Sequence, residues 1–235
     1  MANELAQTAD FEFAALNEAV NYRNALLRDF QSHLKGSVLE VGAGIGQISS
    51  ELHKIAEIKT LLSIEPDAGF CARFRADLPQ LGLHQGTASD LESETHWNAI
   101  LSVNVLEHIE KDEEELAVYH RLLQPARGAL CLFVPARPEI YAPIDRDFGH
   151  FRRYTRPELR KKLEGAGFRL VSFRYYNMVG YFAWWLNFCV LKKRSFDVGS
   201  VRLFDRVIFP VVHGFESHIC APPIGQSLMV VGVAK

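Results

Sequence analysis

Residues 38–49 read VLEVGAGIGQIS, and the rest of the chain can be placed relative to this stretch. Its apolar, partly β-branched beginning predicts a short buried strand. Gly42, Gly44 and Gly46 follow at alternate positions, which predicts a tight turn where a ligand can approach bare backbone. The residues after the turn are compatible with a helix N-terminus, a favourable place for a nucleotide-bearing ligand. The stretch therefore predicts a strand, a turn and a helix built around a nucleotide site.

Composition narrows the class of protein. The chain has 235 residues with a formal net charge of -2, of which 48% are hydrophobic and 23% charged. This length suits one α/β domain with an elaboration. The charge argues against a nucleic-acid partner held by a general basic field. Four isolated cysteines fit a reducing cytosol, and we predict no metal ligands. Without a leader pattern or an apolar run of about 20 residues, we expect a cytoplasmic protein without stable membrane insertion.

Strand-like and helix-like segments alternate along the chain. Strands are predicted at 37–41, 60–64, 83–85, 99–103, 129–134, 169–176 and 227–233. Helices are predicted at 11–34, 45–53, 112–123, in a segment through Phe70 and Phe74, and after a capping box that begins at Thr155. This alternation predicts a parallel sheet covered on both faces. Residues 135–154 read as a long loop, and residues 177–222 exceed what a minimal α/β domain needs.

Two features narrow the ligand at the glycine turn. The GxGxG spacing differs from the GxGxxG fingerprint of dinucleotide sites, and no GK[ST] follows, so a P-loop is excluded. Glu65 ends the second strand about twenty residues later, where a carboxylate can accept hydrogen bonds from both hydroxyls of a ribose. Glu40 lies beside the turn, where it would repel a phosphate and attract an ammonium group. These residues predict a ribose-bearing ligand that need not carry a pyrophosphate.

The segments VLEVGAGIGQIS, LLSIEPD, GTASDL and ILSVNVLEHIEKD, in this order and spacing, resemble the class I S-adenosylmethionine-dependent methyltransferases. The likeness covers residues 22–173 and is greatest to the branch that includes the ubiquinone and menaquinone biosynthesis methyltransferases. It implies a Rossmann-like α/β fold with a seven-stranded, mostly parallel sheet, an antiparallel last strand and helices on both faces. We therefore predict one S-adenosylmethionine-binding domain over 1–235. Cap helices would occupy 1–36, and a helical, aromatic lid would occupy 177–222.

The resemblance implies contacts to the methionine part of the cofactor. Gly42, Ala43 and Gly44 would approach this moiety through their backbone. Glu40 would orient the amino group through water or backbone. Asn104, at the carboxyl end of the fourth strand, would lie near the same part of the cofactor.

The resemblance also implies contacts to the adenosyl part, where Glu65 takes the ribose. Thr87 stands where many relatives carry an aspartate, so the backbone at Ala88, or the side chain of Asp90, would supply the contact to the adenine amino group. Tyr22 and Asn24 would close over the cofactor from the N-terminal helix.

The residues that would bind and activate the methyl acceptor follow no such motif. A sulfonium methyl is already electrophilic, so its transfer needs a nucleophile held in line, and a base only where the acceptor is protonated. His150 and Asp145, in the long loop, are the predicted base candidates, and a loop packed by Arg–Asp pairs is the alternative. Tyr175 and Tyr176 are also catalytic candidates, because they begin an aromatic cluster whose faces would suit a sulfonium. A plain aromatic core under a lid helix is the alternative there.

Three hypotheses of function follow. The leading one is methyl transfer from S-adenosylmethionine to a small-molecule acceptor. The second is an intramolecular reaction, in which the amine of the cofactor displaces at its own γ-carbon to give azetidine-2-carboxylate and methylthioadenosine. The third is a non-catalytic or membrane-surface protein that keeps the cofactor fold. Residues 179–194, apolar with a basic end, resemble an interfacial helix and predict a peripheral membrane contact.

Overall fold

A computed structural model describes residues 18–91, 96–195, 197–218 and 221–235. The first part of the predicted helix 11–34, and half of the predicted cap segment 1–36, lie outside these described residues. The rest of the predicted helix is present as Val20–Phe30, which a single tight turn extends to His33.

Seven strands form one sheet, as the sequence predicts. They are β1 Gly36–Val41, β2 Ile58–Glu65, β3 Gly82–Gln85, β4 Ala99–Val103, β5 Ala129–Pro135, β6 Phe168–Tyr176 and β7 Ser227–Ala234. Their order is β3-β2-β1-β4-β5-β7-β6, and β7 runs antiparallel to both of its neighbours. The Rossmann-like fold with an antiparallel last strand is confirmed. Because the strand order reverses at β1 and β4, their carboxyl ends open the crevice in which such sheets bind ligands.

Helices cover both faces of this sheet. They are α1 Val20–Phe30, α2 Ser49–Leu52, α3 Ala68–Asp77, α4 Asp112–Leu123, α5 Pro143–Asp147, α6 Arg156–Gly165, α7 Met178–Trp184, α8 Val198–Leu203 and α9 Phe209–His218. Alternate strand residues pack on opposite faces, Leu39 and Ile100 in one apolar cluster and Val38 and Leu101 in the other. This two-sided burial is why the inner strands read as continuous apolar runs.

Two predictions for local structure are wrong in their bounds. The helix predicted at 45–53 is only α2, because Gly46 keeps a left-handed φ of 88° and the turn therefore extends further. The long loop predicted at 135–154 contains α5. This helix begins at Pro143, a residue that suits a first helical position, and Asp145 caps it by accepting the N–H of Ala142 at 2.8 Å. By contrast, α6 begins as predicted, with Thr155 accepting the N–H of Glu158.

The described residues between β6 and β7 include α7, α8 and α9, with π-helical turns at Trp185–Val190 and Phe204–Ile208. Two buried carboxylates hold this region in place, one against α1 and one at its own beginning after β6. Asp205 accepts the N–H groups of Asn21 and Tyr22 at 3.0 and 2.8 Å, which caps α1. Glu216 likewise accepts the N–H groups of Asn177 and Met178, which caps α7. Among the described residues, no helix has the length and apolar character that crossing a bilayer requires.

Candidate functional site

The glycine turn lies at the carboxyl end of β1, as predicted. Gly42, Gly44 and Gly46 adopt left-handed φ values of 74°, 54° and 88°, which side chains rarely tolerate. A Cβ at Gly42 would also lie 2.3 Å from a methyl carbon of Val105. The N–H groups of Gly42 and Ala43 both donate to the carbonyl of Ile64. The turn is thus held against β2 by the backbone.

Glu65 ends β2 directly beside this turn. Its carboxylate accepts the N–H of Gly44 at 2.8 Å and the N–H of Asp67 at 3.0 Å. Only 7% of the residue is exposed, and burial raises the pKa of its carboxyl above the usual value. Each oxygen keeps a further lone pair, so the position fits a ribose. Contact with a ribose stays a prediction.

Glu40 lies beneath the turn and not on its surface. It is 3% exposed, and its Oε2 accepts hydrogen bonds from the hydroxyls of Ser49 at 2.5 Å and Ser63 at 2.8 Å. Burial raises the pKa of this carboxyl to about 7, against the opposing effect of the two hydroxyls. Glu40 is therefore partly protonated near neutral pH. Its predicted role with the amino group of the cofactor would have to be indirect.

The predicted adenine side lies at the end of β3. Both the N–H and the hydroxyl of Thr87 donate to Asp90, at 2.6 and 2.9 Å, so its side chain is already engaged. These bonds lower the pKa of Asp90. Ala88 is fully buried in the core. Which of them contacts an adenine stays a prediction.

Asn104 connects the turn region with a cavity. It follows β4 with a left-handed φ of 52° and donates its N–H to the carbonyl of Phe133 at 2.9 Å. The cavity next to it measures about 480 Å³. The residues that line it include Tyr22, Asn104, Glu107, His150, Arg153, Asn177, Trp184, Phe188 and Gln226. The sheet edge, the loop after β5 and the helices before β7 thus enclose one space.

His150 and Asp145, the predicted base candidates, are brought together. Nδ1 of His150 lies 3.1 Å from Oδ1 of Asp145, which also accepts from Arg153 Nε at 2.8 Å. Burial alone would raise the pKa of Asp145, but His150 and Arg153 lower it below the usual value. The guanidinium of Arg153 stacks 4.4 Å from the centroid of the Trp184 ring. The loop is therefore packed by an Arg–Asp pair and also presents His150 to the cavity.

Tyr175 and Tyr176 are placed differently. Their side chains point to opposite faces of β6 and join separate apolar clusters. Neither tyrosine is among the described residues that line the cavity. Their position gives no support to a catalytic role, and the alternative of an aromatic core describes their surroundings.

Two further parts of the site follow the ends of β4 and β6. Glu107, fully buried, and His108 lie beside His150. Burial, followed by the charge of His150, lowers the pKa of His108 to about 4. Asn177 has a left-handed φ of 60° and accepts the N–H of Gly180, and its own N–H donates to Glu216 at 2.9 Å. An asparagine directly after a strand was an available signal for such a turn.

A Rossmann-like sheet with a glycine turn and an acid ending β2 is the arrangement of a nucleotide-binding α/β domain. The family model described as methyltransferase domain matches residues 16–173. The chain therefore belongs to the methyltransferase domain family, and its cofactor is S-adenosylmethionine.

Solved structures agree on the fold. A methyltransferase from Bacillus halodurans is 19% identical, with 88% of this chain and 97% of that chain covered and a TM-score of 0.59. An S-adenosylmethionine-dependent methyltransferase from Mesorhizobium loti is 14% identical, with 88% and 95% covered and a TM-score of 0.60. A complex of DhpI with SAH is 18% identical, with 73% and 87% covered and a TM-score of 0.57. Among curated proteins, no sequence matches this chain.

Proposed function

We propose that this protein transfers a methyl group in line from S-adenosylmethionine to a small-molecule acceptor. The observation that carries the proposal is the cavity of about 480 Å³ beside Asn104. This volume falls in the range of small-molecule sites, and the mixed lining offers apolar surface with a few polar groups. The likeness to the quinone-biosynthesis branch remains part of the proposal and rests on the four sequence segments.

The cofactor would be held at the edge of the sheet. The backbone of Gly42, Ala43 and Gly44 would approach its methionine part, with Asn104 next to it, and Glu65 would accept from its ribose. S-adenosylmethionine supplies an electrophilic methyl group on a sulfonium. The protein has to bind both molecules, align them and exclude water, because the methyl group needs little further activation.

Two residues are proposed to act on the acceptor. Nε2 of His150 is buried at the cavity and can take a proton from an acceptor hydroxyl. Asp145 accepts from Nδ1, which orients the ring and would stabilise its protonated form. The positive charge of Arg153 lowers the pKa of Asp145 and keeps this carboxylate ionised. Trp184, stacked on Arg153, closes this wall.

Calorimetry and an acceptor screen test this function. We expect the purified protein to bind S-adenosylmethionine and its demethylated product, and to release that product only when an acceptor is added. A protein that binds neither molecule would refute the proposal. A His150→Phe variant should keep cofactor affinity and lose acceptor-dependent turnover, with Phe151→Ala, an exposed neighbour, as the control.

No feature of the described residues favours the intramolecular reaction. It requires the cofactor to be enclosed without room for an acceptor, whereas the cavity provides that room. Incubating the protein with S-adenosylmethionine alone separates the two reactions. We expect the cofactor to remain intact, and formation of methylthioadenosine would instead support the cyclase.

A peripheral membrane contact through residues 179–194 is also proposed. Large apolar side chains here are exposed by about half, namely Phe182, Trp185, Leu186, Val190 and Leu191. The exposed Lys192 and Lys193 follow directly, a combination that suits an anionic bilayer surface. We expect flotation with anionic vesicles that Trp185→Glu abolishes and Phe151→Glu, at an exposed position outside this segment, leaves intact. Absence of flotation in the unmodified protein would remove this contact.

Cellular placement and partners complete the proposal. Cys71, Cys131 and Cys189 are free thiols, which fits the reducing cytosol that we propose. The net charge of -2 favours a small molecule over nucleic acid as the substrate.

A further inference from the structure

Glu107, His108 and His150 come together from two separate segments of the chain, and Glu107 and His150 line the cavity. One ligand atom from each side chain lies within 4.8 Å of the other two. The two imidazole rings meet edge to face with centroids 4.6 Å apart. The N–H of Phe151 donates to the carbonyl of Glu107 at 2.8 Å and ties the two segments together. The backbone thus sets the spacing of the three side chains.

His150 is oriented as a ligand would be. Its Nδ1 lies 3.1 Å from the carboxylate of Asp145. Arg153 donates to this carboxylate and keeps it ionised, so it can only accept a hydrogen bond from His150. The proton of the neutral ring is thus on Nδ1, and Nε2 carries a lone pair. The side chain is 7% exposed, and Nε2 has no hydrogen-bond partner among the described residues. A carboxylate behind the far nitrogen of a histidine is the usual outer support of a metal-binding imidazole.

The other two side chains complete a donor set. Glu107 is fully buried and, with His150, lines the cavity. The His108 ring lies against Gly149, with its Nδ1 3.7 Å from where a Cβ at Gly149 would be, and the left-handed φ of 80° at Gly149 turns the chain immediately before His150. Two imidazole nitrogens and one carboxylate oxygen match the preferences of first-row transition ions better than those of Mg²⁺ or Ca²⁺.

We infer that Glu107, His108 and His150 bind one divalent first-row transition metal ion at the cavity wall. Three protein ligands leave coordination positions open for a molecule in the cavity that Glu107 and His150 line. Resting on the proposed function, the inference names the acceptor class: a molecule that presents an oxygen to the ion. An oxygen bound there loses its proton more readily. His150 then serves as a ligand and not as the base; the ion makes the bound oxygen more acidic, and its proton passes to solvent water.

Metal binding can be measured without any acceptor. The full chain is dialysed against a chelator, then titrated with Zn²⁺ by calorimetry and with Co²⁺ by visible absorption. We expect one ion per chain and Co²⁺ bands stronger than those of the hydrated ion. A protein that binds neither ion, because the three side chains instead share protons in a closed network, overturns the inference.

Variants locate the site. His108→Ala and His150→Ala should each weaken Zn²⁺ binding by more than the ~10–100-fold that loss of an outer partner costs, and Asp145→Asn should fall within that range. His53→Ala, an exposed histidine outside the proposed site, should leave binding unchanged. Thermal melts in chelator check that each variant folds. Unchanged binding in both ligand variants overturns the inference even if the unmodified protein binds an ion.

The outcome is separable from that of the proposed function. Calorimetry with S-adenosylmethionine on the chelated protein reports the cofactor site alone. If turnover with an acceptor is lost in chelator and restored by Zn²⁺ or Co²⁺, this supports binding of the acceptor's oxygen to the ion. Full turnover in chelator instead leaves His150 as a base and overturns the inference.

Discussion

Replacing Glu40 by glutamine tests whether a buried carboxyl beneath the glycine turn makes stability depend on pH. Burial raises its pKa from 4.5 to about 7. Below about pH 4.5 the folded and unfolded chains both hold the proton, whereas between the two values only the folded chain holds it. Stability from this group is therefore lost as pH rises and is fully lost above about pH 7. At about 1.4 kcal/mol per pKa unit, the loss is about 3 kcal/mol in total.

Urea unfolding, followed by tryptophan fluorescence, measures the effect. Between about pH 5 and about pH 8, the free energy of unfolding of the unmodified protein should fall by about 2.5 kcal/mol more than that of Glu40→Gln. Other titrating groups are common to both proteins and cancel in this difference. Glu57→Gln, at an exposed carboxylate, should behave like the unmodified protein. Equal pH dependence in all three proteins would refute the reasoning.

Three further predictions use matched pairs. Glu65→Gln should weaken S-adenosylmethionine binding in calorimetry by about 10–100-fold, the worth of hydrogen bonds to a charged acceptor, whereas Asp147→Ala should not change it. Asp145→Ala should lower the free energy of unfolding by about 3–5 kcal/mol, because it leaves buried partners uncompensated. Asp147→Ala, in the same helix but paired at the surface, should cost about 1 kcal/mol at most, and equal costs would contradict the burial argument. Gly42→Ala should cost about 1–3 kcal/mol in the same assay, while Gly165→Ala, with open space around its Cβ, should cost nothing or stabilise by about 0.4–1 kcal/mol.

Segments bounded by local signals were predictable to the residue. β4, Ala99–Val103, and α4, Asp112–Leu123, match their predicted bounds. The strand is a short apolar run that ends at Asn104, and the helix begins with four acids that suit its positive end. The hidden helix α5 was missed because its cap, Asp145, also serves a tertiary network with His150 and Arg153.

In the candidate site, too, some features could be predicted from the sequence and others could not. Adjacent strand residues point to opposite faces, so Tyr175 and Tyr176 could not both have lined one pocket, and the pattern was available before the structure. By contrast, no spacing rule joins His108 to His150. They meet because β4 and β5 are neighbours in the sheet and the loop after β5 folds back over the end of β4.

The sequence by itself determined the cofactor and the sheet, because their signals are local: a strand, three glycines and an acid at the end of the next strand. Only the tertiary structure decided the acceptor side. The cavity, the raised pKa of Glu40 and the meeting of Glu107, His108 and His150 all depend on burial and on contacts between distant segments. Burial arises only when distant segments of the chain pack together, so it cannot be predicted from any short stretch of sequence.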